Sequence, residues 1–297
     1  MSAEATGPVL VTGASTGIGR EIVKLLSTGG RSVLAGARKE SDLEELGHLP
    51  GVTPVRLDVT RADDVVRVAE EIRDSGSGLY GLVNNAGIGN AGPLVELSVE
   101  ELHASFSVNV DGLHRVVRGL FPFLRESRGR IVNISSINGF VPSAFFGPYV
   151  ISKFAVEAYS DVLRGELSDY GVQVSSVEPG AFRSSIFANY FATREVELRA
   201  KWEKSIYRDQ LLGFLDETVG SKDVLYRTNL PSPAPVAEAV RHALYSNDPK
   251  PRYLVGSKEE VEITIDRVLT TLRQLNEDQP HSYSTAELVA RLEKILG

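Results

Sequence analysis

Short β-branched runs alternate with longer helix-period segments through the first two thirds of the chain. Residues 8–11 read as a buried strand, and residues 17–26 as a helix with Ile18, Ile22, Leu25 and Leu26 on one face. Residues 32–35, ended by Gly36, and residues 52–57 read as the second and third strands. Residues 63–72 carry Val65, Val66, Val68, Ala69 and Ile72 at helical spacing. Residues 80–83 and 130–134 predict a fourth and fifth strand, with 99–124 helical between them. Residues 151–170 predict a helix that buries Ala155, Ala158, Tyr159, Val162, Leu163 and Leu167, and 172–177 a sixth strand.

Strands apolar on both faces, alternating with helices, imply an α/β fold with a doubly wound parallel sheet covered on both sides. After Pro179-Gly180 the alternation lapses into a charged, aromatic stretch with Phe187, Tyr190, Phe191, Trp202, Tyr207, Phe214 and Tyr226. Pro231, Pro233 and Pro235 precede a restart: a helix over 236–245, a strand over 253–255, then amphipathic helices over 259–275 and 285–296. No composition break marks a second domain. The pattern predicts one domain over 1–297, with its core in about 7–185 and 235–256, a lid insertion over about 186–232, and a helical C-terminal tail over about 257–297.

Composition narrows the chemistry. The chain has 297 residues and no cysteine, which excludes disulfides, thiolate metal sites and thiol nucleophiles. Its five histidines form no ligand cluster, so no metal is expected. A net charge of −7 argues against a nucleic-acid partner. Neither a signal-peptide pattern at the start nor an apolar run near the roughly 20 residues of a membrane span is present. A cytoplasmic protein is the expectation.

The first strand runs into Thr12-Gly13-Ala14-Ser15-Thr16-Gly17-Ile18-Gly19 and then a helix. Glycines in such a loop let backbone N–H groups approach a pyrophosphate, and the helix N-terminus adds a fixed positive partial charge. The bland reading, a glycine-rich turn with no ligand, is countered by the strand before and the helix after. At the tip of the second strand the chain reads Gly36-Ala37-Arg38-Lys39. An acid there would take the ribose hydroxyls of NAD, whereas a guanidinium accommodates a 2′-phosphate. Ala37 and Arg38 therefore favour NADP(H), unless Glu40 takes the acid's place.

Tyr149 and Lys153 are four residues apart near a helix start, hence neighbours on one face. An ammonium beside a phenol, whose ordinary pKa is about 10, favours the phenolate and suits the tyrosine to move a proton near neutrality. Ser136, at the end of the fifth strand, is placed to hold a reacting oxygen, and Asn109 to hold a water that relays protons. Each alone has a structural explanation; their order after a phosphate loop is what joins them.

These motifs resemble the short-chain dehydrogenase/reductase family: the loop Thr12 to Gly19, Asp58-Val59 after the third strand, Asn84-Asn85-Ala86-Gly87 after the fourth, and Pro179-Gly180 with Ser184. Asn109, Ser136, Tyr149 and Lys153 match the family's catalytic tetrad. The resemblance implies a Rossmann-like seven-stranded sheet and a nicotinamide cofactor. It places Gly13, Ser15, Thr16, Gly17, Ile18 and Gly19 at the cofactor, with Arg38 at its 2′-phosphate and Asp58 and Val59 by the adenine. Asn85, Ala86 and Gly87 would pack near the ribose, Tyr149 and Lys153 would bind the nicotinamide ribose, and Pro179, Gly180 and Ser184 would lie on the nicotinamide side. The stretches from Ser152 to Arg164 and from Glu178 to Arg183, with Arg252-Tyr253, are similar to the branch holding retinol and hydroxysteroid dehydrogenases, although Ser184 stands where threonine is usual.

Phe140, Phe145 and Phe146 between Ser136 and Tyr149, with the aromatic insertion, predict an apolar pocket under a lid, against the alternative of a satellite core. The expected function is NADP(H)-dependent interconversion of a largely apolar secondary alcohol and ketone, or of an aldehyde and primary alcohol. A catalytically silent NADP(H)-binding regulator is the alternative, and a sugar-nucleotide epimerase or dehydratase a third reading. The family resemblance implies a homodimer or homotetramer built on the helices over 99–124 and 151–170.

Overall fold

The structure is a computed structural model and describes residues 7–184, 186–221, 229–277 and 279–297. Strands β1 (Val9–Val11), β2 (Val33–Ala37), β3 (Val52–Arg56), β4 (Gly81–Asn84), β5 (Arg130–Ile134), β6 (Gln173–Pro179) and β7 (Arg252–Val255) form one sheet in the order β3-β2-β1-β4-β5-β6-β7. Every neighbouring pair is parallel. The strands read as continuous apolar runs because both faces are covered. Val9 and Val11 point into one core layer and Leu10 into the other, and the same alternation divides Val83 from Leu82 and Val132 from Ile131.

The helices follow in chain order: α1 (Gly17–Thr28), α2 (Glu40–Gly47), α3 (Ala62–Ser75), α4 (Val99–Phe106), α5 (Leu113–Ser127), α6 (Gly147–Leu167), α7 (Ala188–Trp202), α8 (Arg208–Gly220), α9 (Ala234–Tyr245), α10 (Lys258–Asn276) and α11 (Thr285–Leu296). Ile22, Val23 and Leu26 of α1 and Val236, Val240 and Leu244 of α9 close one face of the sheet. Side chains of α3, α5 and α6 close the other. Because the strand order reverses between β1 and β4, a crevice opens at their carboxyl ends, which is where α/β sheets bind ligands.

The structure departs from the pattern reading in identifiable places. Strand β2 continues through Gly36 to Ala37, and β6 reaches Pro179. Helix α2 is too short to show a clear period and was not foreseen. The segment over 99–124 is broken by a π-helical turn, Ser107–Gly112, that carries Asn109. Helix α6 begins four residues earlier than the pattern suggests, so Tyr149 and Lys153 lie inside its first two turns. Its buried face holds Ser152, Lys153, Glu157 and Ser160 beside Val156, Leu163 and Leu167, whereas Ala158 and Val162 face outward. An apolar-inward rule fails there because the buried polar groups find partners inside.

Helices α7 and α8 form a satellite core in which Phe191, Leu198, Trp202, Leu211 and Leu215 bury against Ala91. Phe145 and Phe146 join it. Tyr226 lies outside the described residues. The tail helices α10 and α11 each start on a capping box, Ser257 with Glu260 and Ser284 with Glu287. Among the described residues no helix is long and apolar enough to cross a membrane, and no group of three His, Asp or Glu side chains could hold a metal ion.

Candidate active site

A cleft of about 740 Å³ runs along the carboxyl ends of the central strands. Its floor is the turn from β1 into α1. Gly13 and Gly17 adopt φ of 64° and 54°, a left-handed backbone that favours glycine. A Cβ on Gly19 would lie 2.3 Å from the Gly13 carbonyl oxygen, so only glycine lets α1 come this close. No acidic residue occupies the first turn of α1, which leaves the positive end of the helix uncompensated toward the cleft.

The loop after β4 braces this turn. The Asn85 amide donates to the carbonyls of Thr12 and Gly13, both at 2.9 Å. The Thr12 hydroxyl in turn accepts from the backbone N–H groups of Asn85 and Ala86, both at 3.0 Å. Asn85 thus shapes the phosphate loop with its side chain. At the far end, Asp58 accepts from the Thr60 N–H at 2.9 Å and hydroxyl at 2.7 Å. Burial opposes its charge, but these bonds and the Arg38 and Arg61 guanidiniums hold its carboxyl below the usual range. Arg38 and Lys39 line the cleft where β2 ends at Ala37. Glu40, three residues beyond the end of β2, is ion-paired with Arg56.

Ser136, Tyr149 and Lys153 all line the cleft. Lys153 is buried, donates to the Ile134 carbonyl at 2.8 Å, and has its nitrogen 5.6 Å from the centre of the Tyr149 ring. Burial pushes the Lys153 ammonium down to about 8, opposed by the Glu157 charge. Ser136 accepts from the Asn138 N–H at 3.1 Å and reaches the Pro179 carbonyl at 3.5 Å. The Phe187 ring meets Tyr149 edge-on, 5.4 Å between centres.

The model of the short chain dehydrogenase family matches residues 8–195. The chain belongs to that family. Its relatives include the mitochondrial D-beta-hydroxybutyrate dehydrogenase of Bos taurus, 36% identical over 260 residues, covering 82% of this chain and 75% of the relative. The 17-beta-hydroxysteroid dehydrogenase type 6 of Bos taurus is 34% identical over 260 residues, covering 84% and 80%. Among solved structures, a variant of actinorhodin polyketide ketoreductase with NADPH superposes with a TM-score of 0.68 at 27% identity, covering 86% of this chain and 97% of that one. The chain is therefore a short chain dehydrogenase related to the hydroxysteroid dehydrogenases, an oxidoreductase with a nicotinamide-binding fold.

Two of the expected site residues of this short chain dehydrogenase do not reach the cleft. Gly19 lies behind its floor, packed on the Gly13 carbonyl. Asn109 lies behind its wall; its amide donates to the Ile88 carbonyl at 3.0 Å and the Ser152 hydroxyl at 2.8 Å, and its oxygen accepts from the Ile88 N–H at 2.9 Å. That side chain ties the loop after β4 to α6. The remaining expected residues all line the cleft: Gly13, Ser15, Thr16, Gly17, Ile18, Arg38, Asp58, Val59, Asn85, Ala86, Gly87, Ser136, Tyr149, Lys153, Pro179, Gly180 and Ser184.

Phe140, Phe145 and Phe146 are not pocket residues. Phe140 lies under the Arg252 guanidinium at 5.2 Å, and the other two serve the satellite core. Apolar lining of the cleft comes instead from residues such as Ile88, Val108, Ile137, Ile186, Phe187 and Tyr190. Sequence reading also missed Glu260, whose carboxylate accepts from the Ala181 N–H at 2.6 Å and the Ser257 N–H at 2.8 Å. The Ser-x-x-Glu spacing of a capping box was the available signal.

The residues fit a nicotinamide dinucleotide. A glycine turn under a helix N-terminus with no acid in its first turn suits a pyrophosphate, Asp58 adds a polar group, and Tyr149, Lys153 and Ser136 line the same cleft.

Proposed function

We propose that this short chain dehydrogenase interconverts a bulky apolar secondary alcohol and its ketone, or a primary alcohol and aldehyde, using NADP(H). The observation that carries the reading is that Ser136, Tyr149 and buried Lys153 line the same cleft, with the Lys153 nitrogen 5.6 Å from the centre of the Tyr149 ring. A bound nicotinamide dinucleotide supplies or accepts the hydride. Tyr149 gives a proton to the substrate oxygen in reduction and takes it back in oxidation. An ammonium near its ring favours the phenolate over the phenol, which is the role of Lys153. Ser136 holds the substrate oxygen against the tyrosine. Gly13, Ser15, Thr16, Gly17 and Ile18 would hold the pyrophosphate, Asp58 and Val59 would flank the adenine, and Pro179, Gly180 and Ser184 would close the nicotinamide end.

The NADP(H) preference rests on Arg38 and Lys39 at the end of β2, with Ala37 where an acid would repel a phosphate and Glu40 drawn off by Arg56. The ketoreductase structure carries NADPH, which agrees. The apolar substrate rests on Ile88, Val108, Ile137, Ile186, Phe187 and Tyr190, from the loops and from α7. Arg194 also lines the cleft and would suit a short hydroxy acid like that of the hydroxybutyrate relative. Glu197, however, already takes the Nε–Nη2 edge of its guanidinium, which compensates its charge. Turnover with NADPH on steroid or retinoid carbonyls, and none on short hydroxy or keto acids, is the expected outcome of a substrate panel; the reverse would reassign the pocket.

The regulator alternative has no feature in its favour, since a sensor needs no proton-transfer set. For assembly we propose a homodimer or homotetramer through α6, whose outer face leaves Ile151, Phe154 and Val162 exposed.

A further inference from the structure

Two glutamates that do not line the cleft are buried. Glu157 follows Lys153 by one turn of α6, and Glu178 is on β6, next to Pro179; their side chains are 7% and 1% exposed. Buried carboxylates are costly unless paired and hydrogen-bonded. One cation from the neighbouring strand serves both: Arg252 of β7 is ion-paired with Glu157 and Asp161 of α6, and meets Glu178 only at 3.4 Å. Arg164 of α6 shares Asp161, at 2.6 Å, so Asp161 is well compensated. Glu178 is also held by the Ser176 hydroxyl at 2.5 Å and by the Tyr253 backbone N–H. Its other oxygen, one oxygen of Glu157 and the Ser135 hydroxyl are buried with no hydrogen-bond partner. A Cβ on Gly139 would lie 3.1 Å from the Ser135 hydroxyl and 3.2 Å from that Glu157 oxygen, so these two orphans are close together.

The cluster also touches the elements that carry the chemistry. Arg252 covers Phe140, in the loop that leaves Ser136, and grips α6 one turn beyond Lys153. Glu178 immediately precedes the Pro179-Gly180 turn.

We propose that Glu157, Glu178 and Arg252 are positioning residues for the proton transfer at Tyr149: two buried carboxylates on α6 and β6 share one guanidinium from β7, so a change of charge on Glu178 redistributes Arg252 between them and alters how much of the Glu157 charge acts on Lys153. Protonated, Glu178 leaves Arg252 to Glu157, which partly neutralises it. Ionised, Glu178 competes for the guanidinium and leaves more of the Glu157 charge acting on Lys153. Burial and the Glu157 charge push the Glu178 carboxyl up to about 7, where this exchange takes place. The inference rests on the roles given above to Tyr149 and Lys153.

Two measurements test it separately. In the protein without cofactor, the infrared carbonyl band of a protonated carboxyl should be present at about pH 6, disappear by about pH 8, and be missing in Glu178→Gln. In the active protein, kcat/KM should show an inflection near pH 7 that Glu178→Gln abolishes. In Glu157→Gln, loss of a neighbouring negative charge should move both the band and the inflection to lower pH. No band at pH 6, or a band unchanged in Glu178→Gln, overturns the inference, as does a pH profile that neither substitution moves. If the parent lacks turnover, or Tyr149→Phe equals it, the functional reading fails while the infrared band still decides where the proton sits.

Discussion

The Lys153 ammonium lies 5.6 Å from the centre of the Tyr149 ring while donating to the Ile134 carbonyl at the end of β5. Sheet and helix together hold this charge. Replacing it should therefore act on the chemistry more than on the fold. Lys153→Met is expected to lower kcat by about 10²-fold or more and the melting temperature by only a few degrees, because the loss of a buried ammonium partly offsets the partner lost to the Ile134 carbonyl and the Glu157 charge. Steady-state kinetics and thermal melts on one preparation check both halves.

Arg38 lines the cleft just past the end of β2, where Ala37 stands in place of an acid, and its charge reaches the Asp58 carboxylate. Arg38→Glu should weaken NADPH binding by about 10- to 100-fold, the scale of a charge-assisted hydrogen bond, and leave NADH binding equal or stronger. Fluorescence titration with each nucleotide measures the ratio directly.

Glu260 joins the tail to the nicotinamide-side turn through Ala181. Glu260→Ala removes that contact and half of the capping box of α10. It should cost about 1 kcal/mol of stability and weaken nucleotide retention together. Glu287→Ala, at the same position of the α11 box and remote from the cleft, should lower stability alone.

The outer face of α6 presents Phe154 and Val162 at 42% and 59% exposure. If a second copy covers them, Val162→Glu should yield monomers in light scattering while the purified chain keeps its far-ultraviolet spectrum.

The fold was largely legible because a parallel sheet writes apolar runs into the chain, and β1, β5 and the tail helices show this plainly. The phosphate loop was legible through its glycines, each tied to a turn or a close approach. What the sequence hid was the inward side of α6. Ser152, Lys153, Glu157 and Ser160 are buried by virtue of partners on other elements, and a one-dimensional pattern does not record partners. Asn109 was found, but its π-helical setting and its bonds to Ile88 and Ser152 were not. The aromatics were similarly divided by tertiary contacts, with Phe187 and Tyr190 at the cleft and Phe191 and Trp202 in a core of their own.

The raised Glu178 carboxyl has a consequence for stability with a definite sign. A group that binds its proton more tightly folded than unfolded stabilises fully below its unfolded value of about 4.5, and that contribution is lost as pH rises through about 7. The melting temperature of the parent should carry a component that falls between about pH 5 and pH 7.5, and Glu178→Gln should remove it. Scanning calorimetry across that range supplies the comparison.

The most direct test of the central claim is nicotinamide absorbance in one paired assay, with parent and Tyr149→Phe mixed with NADPH and a bulky apolar ketone. The account predicts consumption by the parent, a loss of at least about 10²-fold in the variant, and equal NADPH binding by both. Equal rates in the two proteins would contradict the role given to Tyr149, and tight NADPH binding without turnover in either would contradict the reading of this cleft as a catalytic site for such a substrate.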